Sequence, residues 1–228
     1  MTAGLHRPAR GLQTAAFVAE EAPMRPMLAV LLLCCAGAAA AAPFDPKPYS
    51  QEVTECDRRA SHPEDPFRVA PGSSRDQIDL PAAIAACEAA VEADPKNPRL
   101  NYQLARVYGY SGVGEKAIPY RAVAVDADYP QALFVVGYLH LLGLNKQPQD
   151  RCRAGELIRR SAQQDRLAGQ VGFVRWALAG RFDGCPVPRD PAEMLGFLEA
   201  AKKHAGGDFY KAQLIEVLEE QVRAGRQR

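Results

Sequence analysis

Residues 97–130 read NPRLNYQLARVYGYSGVGEKAIPYRAVAVDADYP. Two helices and a turn account for them. Leu104, Ala105 and Tyr108 are three and four positions apart, and Ala117 and Ala124 fall on one face of a second helix. Ser111-Gly112-Val113-Gly114 interrupts the pattern, where glycine accepts turn geometry. Asn97 can cap, and Pro98 open, a first helix ending near Ser111. The second helix has a counterpart upstream, because Ala83, Ala90 and Val91 match Ala117, Ala124 and Val125 at one constant offset. Glu92-Ala93-Asp94-Pro95 matches Asp126-Ala127-Asp128-Tyr129 at the same offset. Downstream, Ala132-x3-Val136-Gly137-x2-His140-x2-Gly143 returns as Ala168-x3-Gly172-Phe173-x2-Trp176. Ala154 to Ser161-Ala162 likewise returns as Glu193 to Ala200-Ala201.

A period of about 34 residues carrying this pattern resembles the tetratricopeptide repeat. The later, longer copies resemble its SEL-like subclass, in which the first helix reads A-x3-L-G-x2-Y-x2-G and a pair of alanines ends the second. The resemblance covers roughly residues 81–203 and implies an all-α superhelical solenoid of helix-turn-helix repeats. It departs from the pattern at Asn101, Arg121 and Glu193, where Trp, an aromatic and Ala are usual. We expect Arg121 and Glu193 to be surface-like, so that alanine at either is mild.

Composition agrees with helices. Of 228 residues 47% are hydrophobic, but only 7% are aromatic, and alanine is abundant. Small side chains favour close helix packing over sheet. The formal charge is +1. Arg7, Arg10, Arg25, Glu20 and Glu21 fall within residues 1–42, so the remainder carries equal numbers of basic and acidic side chains. Bulk charge therefore gives no reason to expect nucleic-acid binding.

Residues 24–42 read as a secretory signal peptide: Arg25, an apolar run from Leu28 to Cys35, and Ala40-Ala41-Ala42 before Pro43. The run is short for a membrane span of ~20 residues. The expected location is periplasmic or secreted, with the mature chain starting near Pro43; residues 1–23 are odd in front of a signal, which leaves Met1, Met24 and Met27 as possible starts. Residues 43–80 form a leader. Tyr49, Val53, Cys56 and Ala60 share a helical face, which predicts a short helix over about 49–60. Pro63-Glu64-Asp65-Pro66 ends it, and Asp79 can cap a helix beginning near Leu80. Cys56-Asp57, Arg68-Val69-Ala70, Ile78-Asp79 and Ala86 to Val91 resemble a segment preceding tetratricopeptide-type repeats in certain bacterial proteins. Some of those proteins carry a caspase-like peptidase domain ahead of that segment; nothing like it stands in this sequence, which points to a non-catalytic part. The repeat domain is read as residues 81–224.

Ala132–Leu142 is apolar nearly all round and is expected to be the most buried helix. Gly143 ends it, and Gln149-Asp150 starts its partner. Gly206-Gly207 stops a later helix, and Asp208 caps a last one carrying Leu214, Val217, Leu218 and Val222 on one side. A polar outer face on that helix suits the end of a repeat array.

Cys34 and Cys35 fall in the export segment, which leaves Cys56, Cys87, Cys152 and Cys185. Four cysteines in an exported chain point to disulfides, with three possible pairings. Cys56–Cys87 and Cys152–Cys185 are favoured. The first would hold the leader on the first repeat helix, and the second would join inter-helix loops of adjacent copies. His140 occupies the tyrosine position of its copy, and Trp176 the equivalent place in the next, so both are expected to pack. No cysteine or histidine spacing suits a metal, no Ser or Cys stands in a nucleophile motif, and Gly112-Val113-Gly114 is a turn rather than a phosphate loop.

No catalytic residue, cofactor or metal is implied. The expected function is an exported, non-catalytic scaffold binding a protein or peptide through first-helix side chains. Asn101, Gln103, Arg106, Tyr110, Arg175 and Arg181 are the outward-facing candidates. Two other readings stand beside it: a cell-wall enzyme that binds or hydrolyses β-lactams, as associated with some cysteine-rich SEL-like proteins, and a purely structural envelope protein. The first lacks a Ser-x-x-Lys motif.

Overall fold

The computed structural model describes residues 42–225, so the expected signal peptide lies outside the described residues except for Ala42. Among the described residues all regular structure is helical: α1 (Glu55–Ala60), a 3-10 turn (Arg75–Gln77), α2 (Leu80–Ala93), α3 (Pro98–Tyr110), α4 (Ile118–Asp126), α5 (Pro130–Leu142), α6 (Arg151–Gln163), α7 (Leu167–Leu178), α8 (Pro191–His204) and α9 (Phe209–Gly225). Each helix packs on the next; α1 also reaches α3, and α7 reaches α9.

The helix starts follow from short polar side chains that satisfy free N–H groups. Asp79 accepts from Ala82 N, Asn97 from Arg99 N, Asp150 from Arg153 N and Asp190 from Ala192 N. Asp208 accepts from the N–H groups of Tyr210 and Lys211. Gly143 closes α5 in the left-handed region, at φ 67°.

Packing forms three connected apolar groups. Cys56, Cys87, Leu104 and Val107 centre one. Tyr102, Tyr129, Leu133 and Leu157 centre a second, against which Phe44 and Phe67 of the leader pack. Phe173, Phe182, Ile158 and Leu198 centre the third. Helices α6 and α7 approach closely at Gly169, where a Cβ would lie 2.7 Å from Ala162 N and 2.8 Å from the Ser161 carbonyl carbon. Disulfides join Cys56 to Cys87, linking α1 to α2, and Cys152 to Cys185, linking the first turn of α6 to the loop before α8. Both are the expected pairings.

Four expectations are corrected. The leader helix forms only from Glu55, because Thr54 and Asp57 build a capping box there. Residues 49–54 are not helical, and Val53 is exposed rather than on an apolar face. The most buried helix is α3, not α5: every residue from Pro98 to Tyr108 is buried. The leader covers the side of α3 that helix packing leaves open, whereas Tyr138 and Leu142 of α5 are exposed. In α9 the apolar stripe is Ile215, Leu218 and Val222, and Leu214 and Val217 face out. Glu219 lies inside, because Lys202 of α8 pairs with it at 2.8 Å. Finally, Arg121 is not surface-like: it is 5% exposed, and its Nη1 donates to the Asn145 carbonyl at 3.0 Å. Glu193 is half-buried in a two-point pair with Arg159 at 2.7 and 2.8 Å.

Candidate functional site

One face, made by α3, α5 and the start of α7, holds the leader. It does so largely through the leader's backbone. Arg99 donates to the carbonyls of Ser50 (3.1 Å) and Glu52 (3.2 Å), and Asn97 also donates to Ser50 (3.1 Å). The Gln164 side chain, just after α6, donates to the Ala42 carbonyl and accepts from Phe44 N. That reciprocal pair reproduces with one amide side chain what a neighbouring strand does with its peptide groups. Phe44 and Phe67 then stack edge-on, at 4.9 Å between ring centroids, and Phe44 meets Tyr129 at 5.3 Å.

The six expected binding residues separate into two sets. Asn101, Gln103 and Arg106 are 1%, 0% and 7% exposed, which corrects their assignment as outward-facing. All three lie on the predicted helix, but the leader covers Gln103 and Arg106, and Asn101 is turned into the junction with α2. Asn101 ties the turn before α3, donating to Pro95 O and Asn97 O. Gln103 donates to Asp57 and Ser61. Arg106 donates to the carbonyls of Ala60, Ser61 and Ser73 and to the Tyr110 hydroxyl. Tyr110 is half-buried between the guanidinium groups of Arg75 and Arg106, 5.2 and 5.1 Å from its centroid. Arg175 and Arg181 are exposed. Trp176 packs as expected on the third apolar group, and it also continues a run of aromatic rings with Phe134 (6.4 Å) and the exposed Tyr138 (5.9 Å). His140 is half-buried at the end of α5, with Nδ1 3.0 Å from Pro148 O.

The leader's turn at residues 61–68 is anchored in the middle of the face. Buried Asp65 accepts from the Tyr129 hydroxyl at 2.7 Å and from Phe67 N, and burial raises its pKa. Neighbouring His62 is pushed down to about 4 by burial first, then by the charges of Arg106, Arg166 and Arg68. It is therefore neutral at pH 7, and its Nδ1 accepts from Glu64 N.

Beside His62 a cavity of about 90 Å³ opens between α3 and α5. Ala105, Ala132, Val135, Val136 and Leu139 make its apolar wall. Tyr102, Arg106, Tyr110, Arg121 and Asn145 supply its polar rim. The loop bearing Asn145 fits there because Gly109 and Gly114 have no side chain: a Cβ on Gly114 would meet the Asn145 carbonyl oxygen at 2.9 Å. Asn145 and Lys146 both take the left-handed region, at φ 50° and 63°. Sequence periodicity missed this cavity. The one signal was Arg121 itself, a charged residue where the repeat pattern has an aromatic.

Among the described residues, no group of three His, Cys, Asp or Glu side chains is placed to hold a metal, and no helix is long and apolar enough to cross a membrane. No family model, curated protein or solved structure matches this chain.

Proposed function

We propose that the chain is a non-catalytic, exported binding scaffold, an α-α solenoid of tetratricopeptide or SEL-like helix pairs that recognises an extended protein or peptide segment. Export rests on residues 24–42 and agrees with two disulfides, which persist in the periplasm or outside the cell. The solenoid reading rests on the sequence period and agrees with helices that pack in chain order. The observation that carries the binding reading is the leader itself. Asn97, Arg99 and Gln164 address the carbonyls and an N–H of an extended chain, and Arg99 adds one side-chain pair, with Asp57. A face that grips one extended segment in this way has the chemistry to grip another on its open part, from the cavity beside Arg121 to the Phe134, Tyr138 and Trp176 rings.

The test is a pull-down from cell-envelope extract with the oxidised protein, alongside a Tyr138→Ala, Trp176→Ala variant. One partner retained by the parent and lost by the variant is the expected result. Equal retention by both, or nitrocefin turnover by the purified protein, would count against the scaffold.

A further inference from the structure

The last helix presents a projection and a hollow side by side. Tyr210, in the first turn of α9, is 83% exposed, the most exposed large apolar side chain among the described residues. Exposed Phe209 meets its ring edge-on at 5.6 Å between centroids, which limits the freedom of the phenol. Leu214 and Val217 follow on the same stripe of α9, four and seven positions on, and both are exposed. The helix packs on α8 and α7 by its other side, through Ile215, Leu218 and Val222.

Against Leu214 a hollow of about 200 Å³ opens between α9 and the start of α7. Leu167, Ala168 and Val171 make one wall, and Leu214 and Ile215 make the other. Tyr210 of the same chain does not line it and stands in solvent. The size has a scale: a cavity of about 150 Å³ takes a benzene ring, so this one has room for a single aromatic side chain. Its rim suits a tyrosine. The exposed Glu64 carboxylate can accept from a phenol hydroxyl, and the Arg166 and Lys211 cations favour the face of an electron-rich ring.

We propose that this surface pairs two copies of the chain about a two-fold axis near Tyr210 and Leu214, each Tyr210 entering the hollow of the other copy. A two-fold contact brings the same patch of both molecules together, so one surface must carry both the projection and its receptacle. A foreign partner would call for only one of the two. Here both lie on α9, and the ring matches the hollow in size and in polarity. Charge allows the pairing, because residues 43–228 carry equal numbers of basic and acidic side chains, and two copies do not repel as wholes. One aromatic anchor per copy makes a contact small beside the ~1,200–2,000 Å² of stable complexes, so the pair comes apart on dilution.

Sedimentation velocity of the oxidised protein over a dilution series is the test. We expect a monomer–dimer equilibrium, weakened at least about tenfold by Tyr210→Ala, which removes the projection, and by Ala168→Phe, which fills the hollow. An equimolar mixture of the two variants should associate more tightly than either alone, because one Tyr210 still finds one open hollow. A fault in folding would not give that recovery. A monomer at every concentration, equal association of the parent and both variants, or a mixture no tighter than its tighter component would overturn the pairing. A monomeric parent whose envelope partner is lost on Tyr210→Ala would assign the hollow to that partner and overturn it equally.

Discussion

Asp57→Asn tests how the leader is held. Asp57 is fully buried in α1 and accepts five hydrogen bonds. Oδ1 takes Arg99 Nε at 2.8 Å and Gln103 Nε2 at 2.9 Å. Oδ2 takes Thr54 N at 2.9 Å, Thr54 Oγ1 at 2.8 Å and Arg99 Nη2 at 3.3 Å. Asparagine replaces one oxygen with an NH2 group. If that group faces Arg99 and Gln103 it meets two donors, and if it faces Thr54 it meets the backbone N–H. Neither orientation is satisfied, and the Arg99 guanidinium, 3% exposed, loses its only counter-charge among the described residues. Breaking one side of a buried pair costs about 3–5 kcal/mol, far more than the ~1 kcal/mol of an exposed pair. Urea unfolding of the oxidised protein should show that loss. Hydrogen exchange should place it first in residues 50–61 and the start of α3, because the adjoining Cys56–Cys87 bond keeps α1 tethered to α2. The double variant Asp57→Leu, Arg99→Met removes both charges and should recover most of the loss. It also removes the Arg99 donors from Ser50 and Glu52, leaving Ser50 with Asn97 alone, so residues 50–52 should still exchange faster than in the parent. A cost below about 1 kcal/mol for Asp57→Asn, or a double variant less stable than the single, would refute the reasoning.

Cys56→Ser should free the leader while α3 to α8 keep their protection, whereas Cys152→Ser should lower the unfolding temperature without releasing a segment; uniform protection loss across the chain in Cys56→Ser would contradict this division. His62 is depressed from 6.5 to about 4, so its contribution is fully present above pH 6.5 and is lost as pH falls through 4. At 1.36 kcal/mol per pH unit the whole shift is worth ~3 kcal/mol, which the ring's partial exposure reduces to about 1–2. Asp65, raised by burial, opposes it by taking up a proton in the folded state. The difference in unfolding temperature between the parent and His62→Gln should therefore change between pH 7 and pH 4.5, and parallel curves would exclude His62 as the source. Arg121→Ala should cost ~1–3 kcal/mol through the lost Asn145 carbonyl bond and stem packing, more than the ~1 kcal/mol expected for Glu193→Ala, as urea midpoints can show. Gly169→Ala should be severe, at least ~1–3 kcal/mol, because the new methyl group meets α6 backbone; a near-wild-type melt would mean that α6 and α7 can part easily.

Local chemistry was legible where a single residue decides a local event. Asn97-Pro98, Asp79, Asp150, Asp208 and Gly143 each satisfy or end a helix by their own side chain or dihedral, so those helix boundaries could be read directly. The cysteine pairs were legible for a related reason: helices that are neighbours in sequence are neighbours in space. What lies across the helices was not legible. Helical phase put Asn101, Gln103 and Arg106 on an open face; Gln103 and Arg106 do share one side of α3, whereas Asn101 is turned toward the junction with α2. Phase could not show that residues 42–73 return to cover that side, because much of the attachment is made to backbone carbonyls, and every residue type supplies a carbonyl. The α9 stripe shifted by one position for a similar reason: which of Leu214, Ile215, Val217 and Leu218 is buried depends on the angle at which α8 and α7 receive the helix. Arg121 is the mixed case. Its departure from the repeat pattern was visible in the chain, but only the tertiary structure sets it beside Asn145, Tyr110 and His62, from three separate segments that converge on one cavity.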